Sequence, residues 1–374
     1  MENFYTSIEP LCIFLRFLGF FPQAFEKPVT EGYLSATKSS IIQTICAVLV
    51  ILASIVGNIT HYYFYDIHEG SFFTDSIWTW ILLFGMTFVL LQFIYQVCKM
   101  DEIKMFFKLM HSIDFKLSYL SLGNDFYEER KFVKKLSIIF ALILIIRIPV
   151  VALLGFVYDV FTVETMISEI LYSIHLSYEC LFCLQFFVFA YILRERFRMF
   201  NNFIRSKNFI EKIFDVKLFT ELFHNLCDAV DIINSLFTLH LIPTILTILL
   251  IDTFGLYGFA HLSLTTTNYL NGFMALFYII IHFVYKTMVS YIGHSTTHEA
   301  ESIKISITKA ISSISDSLPV NASLFDVLKL VEVRNVKLQT IFFDVNWKIV
   351  FGTTSTIVTY LIITFQFRPP TQID

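Results

Sequence analysis

Seven stretches of the chain stay apolar for about twenty residues at a time: 40–60, 76–97, 136–158, 166–193, 237–261, 268–291 and 347–367. A helix needs about that length to cross a hydrocarbon layer, so each stretch predicts a membrane-spanning helix. The fourth runs on into RERFR and is predicted to continue into water. Pro243 and Gly255 lie in the fifth, where neighbouring spans can satisfy the freed backbone groups. An earlier run, LCIFLRFLGFF, is only eleven residues long and contains Arg16. It is too short to span and predicts a re-entrant or interfacial helix. It also lacks the basic n-region and small-residue cleavage site of a signal peptide.

Two long connections carry their own patterns. Residues 209–236 have apolar positions at helical spacing. Residues 321–345 open on Ser323-x-x-Asp326, a capping-box signal, and continue with an apolar stripe of Leu324, Val327, Leu328, Val331, Leu338 and Phe342. Lys329, Glu332, Arg334, Asn335 and Lys337 form the polar side. Such a helix needs a partner, supplied by the same chain or by other subunits. Residues 304–320 are rich in Ser and read as a loop.

Composition agrees with an all-α integral membrane protein. Hydrophobic residues make up 56% and charged residues 16%, where a soluble domain is nearer half and a quarter. The charges then orient the spans. The segment before the first span holds three Lys or Arg, and the loops after spans two and four hold eight and seven. The loop between spans six and seven holds Lys304, Lys309, Lys329, Arg334 and Lys337, while the loops after spans one, three and five hold none. By the positive-inside rule the N-terminus is cytoplasmic and the C-terminus extracellular. This is inverted relative to a G-protein-coupled receptor. Neither an acidic-Arg-Tyr triplet after span three nor an Asn-Pro-x-x-Tyr in span seven is present.

The expected organisation is a cytoplasmic N-terminal segment (1–39), a six-span bundle with a ligand pocket (40–291), a cytoplasmic loop and anchor helix (292–346), a last span (347–367) and an extracellular tail (368–374). The outer loops are short, so a ligand from outside must bind among the spans. The sequon at Asn58 sits at a membrane boundary and the one at Asn321 on the cytoplasmic side, so neither is expected to carry sugar. Cys180-x-x-Cys183 has the spacing of a redox or metal pair, but it lies in LSYECLFCLQFFVFAYIL, where Cys acts as a small hydrophobe. No metal, cofactor or nucleic-acid partner is expected.

Ionisable groups inside spans are costly and tend to face an interior or an aqueous cavity. Ser168, Tyr172, His175 and Glu179 share one face of span four. Arg147 in span three and Glu179 are both near mid-depth, which predicts a buried ion pair. Asp252, Tyr257 and His261 lie in span five, Asn271, Tyr278 and His282 in span six, and Trp78 and Trp80 in span two. Ligand-pocket candidates are therefore Tyr172, His175, Glu179, Trp80, Asp252, Asn271 and Tyr278. Interhelical hydrogen bonding and an interfacial aromatic belt account for the same residues without a ligand.

The end of the last span is specific. Thr359-Tyr360, five mostly apolar residues, then Gln366-Phe367 resembles the hallmark of the insect gustatory receptor family. FLGFFP at 17–22 is similar to the Gly-aromatic-Pro stretch these receptors carry before span one. Length, span number, orientation and a very short tail extend the resemblance over the whole chain. It implies a tetrameric, tastant-gated, non-selective cation channel in the plasma membrane of a sensory neuron dendrite, as a homomer or a heteromer with related receptors. It further implies that the last span lines a central pore and that the helix before it joins a cytoplasmic anchor.

In that setting Phe367 rings close the pore by dewetting and Gln366 amides replace lost hydration for a passing cation. Thr364, Tyr360 and Thr356 carry the wall inward. Without the resemblance, Gln366 reads as an interfacial residue. Leu361 stands where simple-sugar receptors of the family tend to have Glu, which points to the fructose, bitter or orphan branches. The alternatives are an insect odorant receptor, which shares the architecture, and a secondary transporter using Arg147, Glu169, Glu179 and Asp252. No nucleophile–base set or metal cluster suggests an enzyme.

Overall fold

The computed structural model describes residues 3–26, 29–64, 72–120, 122–123, 125–157, 163–206, 216–265, 269–313, 318–334 and 336–366. The chain is a helical assembly with a short antiparallel pair, β1 (Ala24–Phe25) and β2 (Leu34–Ser35), near its start. The helices are α1 (Phe4–Phe17), α2 (Lys38–Phe64), α3 (Phe72–Cys98), α4 (Met100–Tyr119) and α5 (Phe126–Val157). They continue with α6 (Val163–Arg205), α7 (Val216–Thr265), α8 (Tyr269–Ser313), α9 (Leu318–Val333) and α10 (Trp347–Gln366).

Each span predicted from hydropathy falls inside one helix, in order α2, α3, α5, α6, α7, α8 and α10, apart from single edge residues outside the described set. Among the described residues, Lys38–Gly57, Leu176–Arg205 and Lys217–Tyr257 are each long and apolar enough to cross a membrane. The pair Leu83–Cys98 and Met100–Tyr119, bent by 58°, counts as a fourth if taken as one broken span. Their burial differs sharply: 22% of the α2 window is buried, against 83% of the α6 window. Helix α2 thus presents Ile41, Ile42, Ile45, Leu49, Leu52 and Val56 outward. An apolar face of that extent suits lipid, not water. Helix α6 is the core helix, packed on α5, α7 and α8.

The inner part of the core is built of aromatic rings. Phe106 stacks on Phe189 at 4.9 Å, Phe182 on His240 at 4.3 Å, and Phe186 meets Phe237 edge-on at 5.3 Å. Offset and edge-to-face pairs add to the burial of large apolar area. This explains how a chain with 43 Phe residues uses them.

The FLGFFP stretch has a structural cause. Helix α1 starts on a reciprocal cap between Asn3 and Thr6 and ends in a Schellman-type turn: Gly19 N–H donates to Arg16 O at 2.9 Å and Phe20 N–H to Leu15 O at 2.8 Å. Gly19 has φ +82°. A Cβ there would lie 2.5 Å from Gln43 O and 2.6 Å from Ala47 Cβ of α2. Gly19 therefore serves both the left-handed turn and the close approach of α2. The turn drops Phe20 against Phe93, Tyr178 and Phe182, and Gln96 Nε2 donates to Phe20 O at 3.2 Å. Gly19→Ala is expected to destabilise the receptor by about 2–4 kcal/mol, combining left-handed strain and overpacking. Thermal unfolding of the purified particle checks this, and an unchanged midpoint would refute it.

Helix α1 is also more than an interfacial segment. Phe4, Tyr5, Ile8, Leu11, Cys12 and Leu15 are buried, and it packs chiefly on α5. Burial pushes the Cys12 thiol above its ordinary range, so it behaves as an apolar group.

Two expectations about the long connections need correction. Residues 304–313 are not a loop, because α8 runs unbroken to Ser313. Ile303, Ile307 and Ala310 are buried at helical spacing, and Ser306 between them is structural. Ser306 donates to Asn201 Oδ1 at 2.6 Å and accepts from Arg205 Nε at 2.9 Å, while Asn201 also binds Ser302. The Ser-rich composition thus marks a polar seam between α6 and α8. Helix α8 thus runs continuously through the expected boundary at 291–292.

The stripe over 321–345 is likewise not one helix. Helix α9 ends at Val333, and the chain then turns through a bridge between Gln339 and Asp344. Asn234 of α7 holds this turn: its Nδ2 donates to Lys337 O at 2.9 Å and its Oδ1 accepts from Gln339 N–H at 2.9 Å. Val327 and Val331 are buried and Leu328 partly so, on the helix as expected; Leu324's side chain lies outside the described residues. Leu338 is buried in the turn instead, and Phe342 is 76% exposed.

Candidate functional site

The spans enclose a charged group assembled from three helices. Asp252 of α7 and His282 and Lys286 of α8 are all buried. Lys286 Nζ donates to Asp252 Oδ2 at 2.7 Å, and His282 Nδ1 lies 2.9 Å from Asp252 Oδ1. His282 and Lys286 are one helical turn apart, so both reach a carboxylate on the facing helix. Glu179 of α6 is buried nearby, within electrostatic reach of Asp252. Close by, Cys180 Sγ donates to Tyr285 Oη at 2.6 Å, joining α6 to α8. Cys183 is a buried free thiol.

The sequence candidates are distributed unevenly around this group. Glu179 and Asp252 are both buried among the spans. Asp252 is engaged on both oxygens by α8, so its structural partners are now explicit. Arg147, Tyr172, His175, Trp80, Asn271 and Tyr278 lie in described helices, but their side chains fall outside the described residues, as does the predicted Arg147–Glu179 pair. Lys286, inside span six, is a member of this group that the sequence candidates do not include. The available signal was Asp252 itself, since a buried carboxylate demands a cation.

Sequence reading also missed a polar row between α3 and α7. Gln92 Nε2 donates to His240 O at 3.0 Å and Thr244 Oγ1 at 3.3 Å, and Tyr95 donates to Ser235 O at 2.8 Å. Gln92, Tyr95 and Gln96 share one face of span two, which was the visible cue.

The second feature is α10. Ile349, Val350 and Ile357 are buried against α7 and α8. The opposite side presents Gly352, Ser355, Thr359 and Gln366, all exposed and spaced i, i+3, i+7 and i+14 along one meridian. Thr356 is half-buried, with its hydroxyl donating to Gly352 O at 2.9 Å, and Tyr360 is exposed beside the stripe. Thr364's side chain and all of Phe367 lie outside the described residues. At the cytoplasmic end Val333, Ile341, Phe342 and Phe351 are exposed.

Seven helical spans enclosing buried polar groups make an all-α membrane-protein fold, and the family follows from the sequence. Residues 8–369 match the family described as 7tm Chemosensory receptor, so the chain belongs to that family, which is one of receptors and not of enzymes. The fold is similar to that of the insect olfactory receptor OR5 from Machilis hrabei. Identity is 11%, the match covers 96% of this chain and 98% of that one, and the TM-score is 0.72. The same receptor in complex with eugenol matches at 11% identity over the same shares, with a TM-score of 0.64. A comparison with curated proteins finds no match.

Proposed function

We infer that the chain is one subunit of a tastant-gated, non-selective cation channel, tetrameric as a homomer or with related receptors, in the plasma membrane of a sensory neuron. The observation that carries this reading is the exposed face of α10. Ser355 and Gln366 would present polar side chains to lipid in a lone subunit, where such exposure is costly, whereas the Thr359 hydroxyl already donates to Ser355 O at 2.9 Å. Four copies meeting on this face would enclose a hydrated axis. The same assembly would cover Val333, Ile341, Phe342 and Phe351, which otherwise leave a large apolar patch exposed at the cytoplasmic end.

In this reading the ligand enters among the spans near Glu179, and the Thr359–Phe367 motif forms the outer end of the pore. Gln366 shares the exposed meridian with Ser355 and Thr359, so those two supply the inner wall more directly than Thr356. Leu361 favours a tastant other than a simple sugar. The fold likeness to an olfactory receptor supports a volatile odorant as the second reading. Recording against tastant and volatile panels separates the two.

The experiment that tests the channel is the mass of the purified particle, followed by patch recording. Four 43.6 kDa subunits are expected, with ligand-evoked cation current. Ser355→Leu with Thr359→Leu is expected to cut unitary conductance several-fold, and Gln366→Ala to change conductance or resting leak. A stable single subunit with no current, or variants that conduct like the parent, would reject this pore.

A further inference from the structure

Helix α1 and the first turns of α5 leave a groove of about 740 Å³ between them. On α5 its wall is Arg130, Lys134 and Ser137, at i, i+4 and i+7, with Lys131 alongside. On α1 the wall is Ile13, Phe14 and Phe17. The groove is graded in polarity. Its cationic end holds Arg130, Lys131 and Lys134 against a single carboxylate, Glu9. Its other end is apolar, completed by Ile138 and Ala141. Lys134 and Ala141 are about 10 Å apart along the helix. This gradient runs along the membrane normal, because span three begins at 136 and its basic flank marks the cytoplasmic side.

Three details point to an absent occupant. Ser137 lines the groove at 5% exposure, and its buried hydroxyl has no hydrogen-bond partner among the described residues. Buried polar groups are rarely left so, and a partner from outside the chain would satisfy it. Lys134 makes no ion pair among the described residues, whereas Arg130 meets Glu9 at 3.3 Å and Lys131 meets Glu128 at 3.2 Å. Phe17 is 73% exposed at the apolar end.

We propose that this groove binds one anionic phospholipid of the inner leaflet. The phosphate sits among Lys134, Arg130 and Lys131, where charge-assisted hydrogen bonds are available. A glycerol-ester oxygen accepts from Ser137, and an acyl chain lies along Ile13, Phe17 and Ile138. A basic pocket at the cytoplasmic end of a span is suited to such head groups. A zwitterionic lipid brings its own ammonium to the cationic end and gains less. A free phosphate fills that end only.

The test is native mass spectrometry of the purified receptor titrated with phosphatidylinositol 4,5-bisphosphate, phosphatidylserine or phosphatidylcholine. Both anionic lipids are expected to bind more tightly than phosphatidylcholine. Lys134→Gln should weaken them about fivefold, and Lys131→Gln with Lys134→Gln about twenty-fivefold. Ser137→Ala should weaken every lipid, while Lys104→Gln, remote from the groove, should change nothing. Both groove lysines are on the surface wall, so their loss leaves the core intact. Equal binding of phosphatidylcholine, or unchanged binding in the double variant, overturns the proposal. So does full displacement by inorganic phosphate, which would make it a free-anion site. Efficient Phe17→Cys crosslinking between copies would assign the groove to a second subunit and overturn it as well.

Discussion

Arg196→Met is expected to remove most of the receptor from the cell surface. Arg196 is fully buried at the cytoplasmic end of α6 and binds two carboxylates from two other helices. Its Nε and Nη2 donate to Asp114 of α4 at 2.9 and 3.0 Å, and its Nη1 and Nη2 donate to Glu129 of α5. Glu129 is tied further to Ser7 of α1. One guanidinium fork thus fastens four helices. Removing it leaves two buried carboxylates with no cation between them. Breaking a buried pair costs about 3–5 kcal/mol, a large share of the roughly 5–15 kcal/mol that keeps a domain folded.

The companion experiment separates satisfaction of charge from a special role of the charges. In Arg196→Met with Asp114→Leu and Glu129→Leu, no charge remains to be unpaired. Apolar replacement of a whole buried network is often neutral, so surface abundance should largely recover. Surface biotinylation reads both variants. Wild-type abundance of Arg196→Met would refute the network. Failure of the triple variant to recover would mean that its polarity is needed beyond mutual pairing.

Asp252→Asn is expected to be nearly as severe, inside the membrane. It leaves Lys286 as a buried cation whose nearest charged partner is gone. The expected loss is about 3–5 kcal/mol. Lys286→Met should cost less, because His282 Nδ1 still contacts Asp252 Oδ1 at 2.9 Å. The double variant Asp252→Asn, Lys286→Met should fall well short of the sum of the single losses, with a coupling of about 1–3 kcal/mol. Thermal unfolding of detergent-purified protein measures the cycle. Strict additivity would show that α7 and α8 are not held together here.

The predictions rest on residues whose legibility in sequence differed. The spans were legible because a membrane crossing is a local requirement, met by about twenty contiguous apolar residues. Orientation was legible because Lys and Arg are counted loop by loop. Gly19 stood out only through the family likeness of FLGFFP; its left-handed φ and the close approach of α2 came with the structure. Arg196, by contrast, looked like one more charge in RERFR. Its partners stand 82 and 67 positions away, and nothing local marks them. Ser306 looked like a loop residue for the same reason. Its hydroxyl is satisfied by Asn201 and Arg205, on a helix about a hundred residues earlier.

By itself, then, the sequence determined that the chain is an all-α membrane protein, where its spans lie, which way they point and where the last span carries polar groups. These follow from hydropathy, charge bias and backbone conformation, which act within one segment at a time. The tertiary structure alone decided that Lys286 belongs to Asp252, that α8 runs to Ser313, that α9 stops at Val333, and which side of α10 remains uncovered. Those outcomes depend on which group a buried donor or acceptor finds across a helix interface, and that choice exists only once the helices are side by side.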